Sequence, residues 1–416
     1  MTGRMWFEAP EGSRFGLLTL PYGVFTRPDR RGLAGRRRIG VAVGDSVLDI
    51  GAVAGVLGEE FAPLLEAEVL NPLMAAGRPI WQAVRERIVA WLTDPEYRPA
   101  VLAHLAPLDA VELHVPFEVA DVAGFSASED HARNTGRIVC PTQPPLPDGW
   151  RRQPVGWHAR AGSIRLSGTP VVRPCGQYLP PGAESPVYGP TRKLDFQAEV
   201  GFVVGAPSEP GERVSAEAFA QHVFGACLVN AWSARDIEHF DMKLLAGAPG
   251  TPFTMSISPW VVPLQALEHA RVPAPAQEPE PAPYLRGGRD WGLDVQLEVR
   301  INGHVVAQPP FAALYWTPAQ QLAQLTVTGG ALRTGDVIAS GAVSGPEPNQ
   351  RGSLLELSWD GTDPVLLGDG TERSYLLDED VVTIAATAPG PGGEHVRFGE
   401  VTGRVAPAVV EQAHQG

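Results

Sequence analysis

The sequence predicts a mainly β protein with two domains. The chain has 416 residues, which suggests two or three domains, or one small and one large. It contains 46 Gly and 41 Pro, about a fifth of the chain where roughly 12% is average, so turns are frequent and long helices are few. Hydrophobic residues make up 44% of the chain, which argues against disorder.

Residues 1–116 are predicted to form a small mixed domain. Apolar strands are expected on both sides of the hairpin signal Gly44-Asp45, and an apolar spacing of three and four residues is typical of helices further on. The predicted strands are Phe15–Phe25, with a turn at Pro21–Gly23, Ile39–Val43 and Val47–Ile50. The predicted helices are Phe61–Leu70, Ile80–Leu92 and Arg98–Leu105.

Residues 117–416 are predicted to form a large β-rich domain. Trp291–Ala307 alternates apolar and polar residues around a hairpin at Asn302-Gly303. A second meander is predicted from Leu354–Trp359, Pro364–Gly368 and Thr371–Leu377, and short helices from Ala216–Phe224 and Pro318–Leu325. The Pro-rich, acidic stretch Pro273–Pro283 is expected to be an extended or mobile surface insertion, and the last dozen residues a tail.

The charge and cysteine content favour a soluble cytoplasmic protein. The net charge of −14 argues against nucleic-acid binding. The chain has no run of 18 apolar residues and no apolar segment near its start, so we expect neither a membrane span nor a secretory signal. Three cysteines (Cys140, Cys175 and Cys227) do not make a disulfide framework.

Four polar segments could carry chemistry, and each also has a structural interpretation. Asp121–Gly136 contains His131, although a lone histidine is more often structural than catalytic. Lys193–Gly205 places Asp195, Gln197 and Glu199 on one strand face, which could simply be solvated. Leu228–Lys243 combines Arg235, Asp236, Glu238, His239 and Asp241, as a site rim or a surface ion-pair cluster. Gly341–Trp359 contains Glu356 within a predicted strand, where it could be exposed.

These segments, in this order, resemble the fumarylacetoacetase family. Further collinear motifs similar to that family are LPYGVF (20–25), RIGVAVGDSVLD (38–49), PVGWH (154–158), SGTP (167–170), PVYG (186–189), SARD (233–236), ISPWVV (257–262), SGPEP (344–348) and LLELSW (354–359). The resemblance implies a small SH3-like N-terminal domain, a large C-terminal β-roll and a homodimer. It also implies a Mg²⁺ or Ca²⁺ ion held by carboxylates, and a His–Glu pair that activates water for attack on a carbonyl.

Three of the four metal carboxylates of the family are replaced in this chain. The motif DxxDFYSSxxHAxNxG has Gly124 at its metal-binding Asp, LDxExE has Gln197 at its first Glu, and NDWSARDIQ has Ala231 at its Asp. Only Glu199 is kept, as a weak candidate ligand. We therefore predict a site without a metal, with weakly bound Mg²⁺ or Ca²⁺ as the alternative. A replacement set of Glu199, Glu238, His239 and Asp241 is a further alternative.

The resemblance also assigns the other site residues. The predicted catalytic residues are His131, Glu356 and Arg235. The predicted substrate-binding residues are Ser126, Ser128, Cys140, Trp157, Gln197, Glu199, Glu238, Thr251 and Ala342. Cys140 stands where the family has an Arg and Thr251 where it has a Lys, so the lost cations predict a less anionic substrate. Trp157 and Ala342 replace a Tyr and a Thr, which favours a more apolar one. Cys140 is more simply interpreted as an inert thiol than as a nucleophile.

Three functions from different classes fit this pattern. The first is an enzyme that uses His131 and Glu356 without a metal on a dicarbonyl-like substrate, by C–C hydrolysis or by dehydration, cyclisation or condensation. Its Ala-, Pro- and Arg-rich composition suits a high-GC bacterium in which a catabolic enzyme has been recruited to specialised metabolism. The second is ordinary metal-dependent fumarylacetoacetate hydrolysis in aromatic amino-acid catabolism. The third is a non-catalytic binding or partner protein. The sequence does not identify the substrate.

Overall fold

A computed structural model describes residues 6–7, 13–28, 35–244 and 252–409. Of Lys243 and Leu244 only the backbone is described. The predicted substrate residue Thr251 and most of the predicted C-terminal tail lie outside the described residues. Across the described ranges, no helix combines the length and the apolar character that crossing a membrane requires.

The N-terminal part pairs a five-stranded antiparallel sheet, in the order β4-β3-β2-β1-β5, with a set of helices. Its strands are β1 (Tyr22–Thr26), β2 (Arg38–Val43), β3 (Ser46–Asp49), β4 (Leu105–Pro107) and β5 (Glu112–His114). Its helices are α1 (Ile50–Leu57), α2 (Ala62–Leu65), α3 (Asn71–Ala75), α4 (Arg78–Thr93) and α5 (Arg98–Ala103). The SH3-like description of this part stays a prediction.

The sequence located this domain's hairpin correctly but not all of its helices. The hairpin β2–β3 turns at Gly44-Asp45, where Gly44 has a φ of 62° that favours glycine. The predicted turn at Pro21–Gly23 is wrong, because Tyr22 and Gly23 already pair with β2. Helix α1 was not predicted; the Asp49 side chain caps its first turn by accepting the backbone N–H of Ala52.

The rest of the described chain is dominated by strands, which confirms the mainly β prediction. The strands are β6 (Val122–Ser126), β7 (Val155–His158), β8 (Ile164–Leu166), β9 (Val171–Val172), β10 (Cys175–Tyr178), β11 (Val187–Pro190), β12 (Leu194–Asp195), β13 (Ala198–Val204), β14 (Val223–Ala234), β15 (Thr254–Ile257), β16 (Val262–Pro263), β17 (Arg271–Val272), β18 (Gly292–Leu293), β19 (Gln296–Ile301), β20 (His304–Ala307), β21 (Val337–Ala339), β22 (Val365–Leu366), β23 (Glu372–Arg373), β24 (Val381–Pro389) and β25 (His395–Ala406). The helices are α6 (Glu129–Val139), α7 (Phe219–His222), α8 (Arg235–Leu244), α9 (Pro318–Thr326) and α10 (Leu354–Leu357).

A mixed central sheet positions the site. Its strands run in the order β7-β6-β21-β13-β14-β15-β8, and β12 and β16 also pair with β14. One hydrophobic cluster joins this sheet to the second large sheet, β20-β19-β24-β25-β9, and another joins it to the N-terminal part. Strands β13 and β14 are therefore buried along their whole length. Polar side chains on these strands are shielded from water, so they need partners within the protein.

Three local predictions change in the structure. Asp195, Gln197 and Glu199 do not form a solvated face, because all three are buried. The predicted strand Leu354–Trp359 is wrong: residues 354–357 form α10, and Glu356 is buried on it. The Pro-rich insertion is extended, but Gln277 within it is buried and donates to the carbonyl of Tyr315 at 2.6 Å.

Candidate active site

Helix α6 places His131 in its first turn. Ser128 caps the helix, since its Oγ accepts the backbone N–H of His131 at 3.1 Å. The same hydroxyl donates to the carbonyl of Ser344 at 2.9 Å, which ties the start of the helix to the segment that follows β21. The His131 side chain is 12% exposed, so the ring is held by packing yet remains accessible.

Glu356 is the partner of His131. Its Oε2 lies 2.7 Å from His131 Nδ1, and the side chain is fully buried. Asn134 Nδ2 donates to its other oxygen at 3.1 Å, and the hydroxyls of Ser344 and Ser353 donate to Oε2 at 2.9 and 2.8 Å. Burial raises the pKa of this carboxyl, but the charge and hydrogen bond of His131, with Asn134 and Ser353, lower it to about 2. Glu356 is therefore an ionised acceptor that orients the ring of His131.

Arg235 lies at the junction of β14 and α8, between two buried carboxylates. Its Nε donates to Asp195 Oδ2 at 2.8 Å, and its Nη1 lies 3.4 Å from Glu238 Oε2. Burial raises the pKa of Glu238 to about 7 against the opposing effect of Arg235. The third nitrogen of the guanidinium, Nη2, is buried and has no hydrogen-bond partner among the described residues. Arg235 can therefore still donate to a bound group.

The residues present do not fit a divalent cation. Gly124 and Ala231 offer no side-chain oxygen, and the amide of Gln197 donates to Ser233 Oγ at 2.9 Å. Glu199 is buried, which raises its pKa to about 8 against the backbone hydrogen bond from Gly341. Nowhere in the described part of the chain do three His, Cys, Asp or Glu side chains come together to hold a metal ion. A replacement set of Glu199, Glu238, His239 and Asp241 is therefore not assembled.

The indole of Trp157 takes up the space beside Gly124. The two residues are paired across β6 and β7. A Cβ atom added to Gly124 would lie 3.0 Å from Trp157 Nε1 and 3.1 Å from Cε2, tighter than ordinary van der Waals contact. An aspartate at position 124 would therefore require the indole to move. The loss of one family carboxylate and the presence of Trp157 are sterically linked.

The remaining predicted substrate residues are scattered around this centre. Ser126 accepts the indole N–H of Trp150 at 3.3 Å. Ala342 is buried next to Gly341, whose N–H bonds Glu199. Cys140 follows the last residue of α6, nine positions after His131, or ~13 Å along the helix at 1.5 Å per residue. The structure therefore does not bring Cys140 to the His131–Glu356 pair.

Sequence reasoning missed three side chains that bond Glu356: Asn134, Ser344 and Ser353. Two of these three residues could have been found from a local pattern in the sequence. Asn134 lies three residues after His131, so a helix presents both on one side. Ser353-Leu-Leu-Glu356 is the S-x-x-E pattern that starts helices, and Ser353 does cap α10. Ser344 had no such signal, because only the packed fold brings it to Glu356.

Five of the buried polar atoms without a partner in the described residues belong to the site: Trp157 Nε1, Glu199 Oε2, Asn230 Nδ2, Arg235 Nη2 and Glu238 Oε1. Buried polar atoms are normally satisfied, so their concentration here marks a place built to bind a polar group. An ionised carboxylate orients His131, and Arg235 Nη2 is a buried donor that a negative charge could use. An oriented imidazole combined with unpaired buried polar groups is typical of enzyme active sites.

Comparison with known proteins identifies the family. A model described as Fumarylacetoacetase N-terminal matches residues 19–116, and one described as Fumarylacetoacetate (FAA) hydrolase C-terminal matches residues 122–406. A fumarylacetoacetase from Homo sapiens is 38% identical over 419 residues, covering 96% of this chain and 98% of that protein. One from Oryza sativa subsp. japonica is 39% identical over 425 residues, covering 98% of each. The chain belongs to the fumarylacetoacetase family.

Solved structures agree on the fold. The structure of a fumarylacetoacetate hydrolase from the psychrophilic Exiguobacterium antarcticum matches with a TM-score of 0.53. The match covers 94% of this chain and all of that one, at 19% sequence identity. At that identity the likeness shows a shared fold only.

Proposed function

We propose that this protein hydrolyses a C–C bond of a dicarbonyl-like acid without a divalent metal. The observation that carries the proposal is the 2.7 Å contact between His131 Nδ1 and a fully buried Glu356 that three further side chains hold in place. Relatives named fumarylacetoacetases, at 38–39% identity over nearly the whole chain, support hydrolysis of such a bond. The same relatives make a lyase or cyclase the less supported reaction.

The chemistry follows from the contacts of the pair. Because the ionised Glu356 accepts from Nδ1–H, the free Nε2 of His131 is the basic nitrogen. Nε2 takes a proton from water, and the water oxygen forms a bond to the substrate carbonyl carbon. Arg235 Nη2 can donate to the resulting oxyanion. When that centre collapses to an acid, the C–C bond breaks, and the proton returns from His131 to the carbon that leaves.

The residues at the family's metal-binding positions support a mechanism without a metal. In the family a divalent ion would polarise the diketone oxygens and stabilise the leaving enolate. Hard cations of this kind need several oxygen ligands, and three of the four positions carry glycine, alanine or an amide already bonded to Ser233. Buried donors such as Asn230 Nδ2 and Trp157 Nε1 are available to the substrate instead. They suit neutral carbonyl or hydroxyl oxygens.

Ordinary fumarylacetoacetate hydrolysis is the second candidate. It is favoured by the match to fumarylacetoacetases along 96–98% of this chain. In that case Glu199 would be the one carboxylate of the family's set available to a weakly bound Mg²⁺ or Ca²⁺. The two candidates differ in whether turnover needs added metal, so one assay separates them.

The test is turnover of fumarylacetoacetate and of less anionic 1,3-dicarbonyl acids, measured with and without EDTA. We expect turnover that EDTA leaves unchanged. His131→Asn should lower kcat by about 10²–10⁴-fold. The matched control is His222→Asn, since His222 is also partly buried and its Nδ1 bonds the Ala206 carbonyl at 2.9 Å. Turnover that appears only with added Mg²⁺ or Ca²⁺ would support ordinary hydrolysis. No turnover by the wild type or by either variant would support a non-catalytic binding protein.

Homodimer formation, a cytoplasmic location, the lack of a nucleic-acid partner and recruitment to bacterial specialised metabolism stay predictions. Each has its own direct measurement, beginning with the mass of the assembly in solution.

A further inference from the structure

We infer that Asp195 is a positioning residue that joins Arg235 to the helix carrying Glu356, an inference that rests on the proposed role of the His131–Glu356 pair. Asp195 ends β12 and its side chain is completely buried. No hydrogen bond joins it to the side chain of His131 or Glu356 in the part of the chain that the structure describes. Its effect on the pair is therefore transmitted through α10.

The carboxylate of Asp195 accepts three hydrogen bonds. Arg235 Nε donates to Oδ2 at 2.8 Å, and the backbone N–H groups of Leu354 and Leu355 donate to Oδ1 at 2.7 Å and Oδ2 at 3.3 Å. Leu354 and Leu355 form the first turn of α10, where backbone N–H groups lack partners within the helix. Glu356 is the next residue. One buried carboxylate thus fixes both the guanidinium and the start of the helix that presents Glu356.

Because α10 is short, its position depends on the hydrogen bonds from its N–H groups to Asp195. The helix has four residues, too few to be stable without external support. Main-chain contacts from the same segment also reach the residues before the helix: the N–H of Ala198 donates to the Gly352 carbonyl at 2.8 Å, and Gln197 forms a bridge with Ser353. These contacts hold the residues before the helix, whereas Asp195 binds the first turn itself, together with the Ser353 cap that accepts the N–H of Glu356 at 3.4 Å. Asp195 is therefore the side chain that links Arg235 directly to the first turn of α10.

Asp195→Asn is the sharpest variant because it preserves shape. All three groups that face the carboxylate are N–H donors, and an asparagine offers one acceptor oxygen and two donors of its own. The new NH₂ group must then face at least one donor, which pushes α10 or Arg235 away. A displacement of about 1 Å at a catalytic group can cost about 10²-fold in rate.

The matched control is Asp380→Asn. Asp380 is also buried, accepts from Arg373 at 2.8 and 2.9 Å and accepts the backbone N–H of Leu377 at 2.8 Å. It lies just before β24, and none of its hydrogen bonds among the described residues reaches α10. The control reproduces the loss of a buried Arg–Asp pair without touching the element that carries Glu356.

The first readout needs no substrate. In protein labelled with ¹⁵N-histidine, the Nδ1–H proton of His131 bonded to a carboxylate gives a far-downfield resonance, which is assigned by its loss in Glu356→Gln. We expect Asp195→Asn to shift this resonance upfield or remove it, and Asp380→Asn to leave it in place even if the melting temperature falls. An unchanged resonance in a folded Asp195→Asn protein would overturn the inference, whether or not hydrolysis is ever observed.

The second readout uses turnover once a substrate is established. Asp195→Asn should lower kcat by about 100-fold with KM changed by less than about threefold, since the reacting groups move while the rest of the site is intact. If Asp195→Asn does not fold, amide exchange in the wild-type protein decides instead. The Leu354 and Leu355 amides should exchange slowly, and exchange as fast as that of exposed amides would refute the anchor.

Discussion

Replacing Glu356 by glutamine should remove a defined, pH-dependent part of the protein's stability. The carboxyl has a pKa of about 2 in the folded protein against an ordinary value of 4.5. A difference of that size corresponds to about 3 kcal/mol, at 1.36 kcal/mol per pKa unit. Because the folded pKa is the lower one, this stabilisation is fully present above pH ~4.5 and is lost as the pH falls toward 2. By pH 3, about 2 kcal/mol of it should be gone.

The assay is urea unfolding of the wild type and Glu356→Gln at several pH values between 3 and 5, followed by tryptophan fluorescence. The free-energy difference between the two proteins isolates Glu356 from all other carboxyls. We expect it to shrink by about 2 kcal/mol from pH 5 to pH 3. Glu379→Gln, at a carboxylate that is 62% exposed and paired with Arg404, gives the baseline for losing one acid. A difference for Glu356→Gln that is flat over this range would refute the account of Glu356 as an ionised, hydrogen-bonded partner of His131.

Two further predictions concern the metal site and the Pro-rich insertion. A triple variant restores the family carboxylates with Gly124→Asp, Gln197→Glu and Ala231→Asp. It should bind Ca²⁺ with a Kd tighter than about 10⁻³ M only when Trp157→Tyr is added, because the indole occupies the space of the first carboxylate. Calorimetric titration checks this, and equally tight binding by the triple variant without Trp157→Tyr would contradict the steric link. Gln277→Ala should lower the free energy of unfolding by about 1–3 kcal/mol, since it leaves buried amide partners unpaired. Urea unfolding measures this, and a curve that matches the wild type would show that Gln277 does not anchor the Pro-rich insertion.

The sequence was sufficient where a local pattern decides the structure. Asn302-Gly303 was predicted to turn a hairpin, and Asn302 and Gly303 do so with φ values of 52° and 81°. The helix predicted at Pro318–Leu325 is α9, started by a capping box from Thr317 and Gln320. In both places the residues that define the element are neighbours in the chain.

The sequence was insufficient where burial, or contacts between residues far apart in the chain, determine the structure. Alternation in Leu354–Trp359 predicted a strand, but Ser353 and Asp195 supply bonds that start a helix there. Alternation in Lys193–Gly205 allowed a solvated polar face, because one strand does not reveal that sheets cover both of its sides. The contact between His131 and Glu356 came from the family resemblance, since 225 positions separate the two residues.

The central claim, a His131–Glu356 base in a site without a divalent metal, is tested most directly by the metal content of the purified wild-type protein and its titration with Ca²⁺ and Mg²⁺. The donor set predicts well below one divalent ion per chain, and no binding with a Kd tighter than about 10⁻³ M. One tightly held ion per chain that is lost in Glu199→Gln would contradict the claim and would restore the ordinary mechanism of the family.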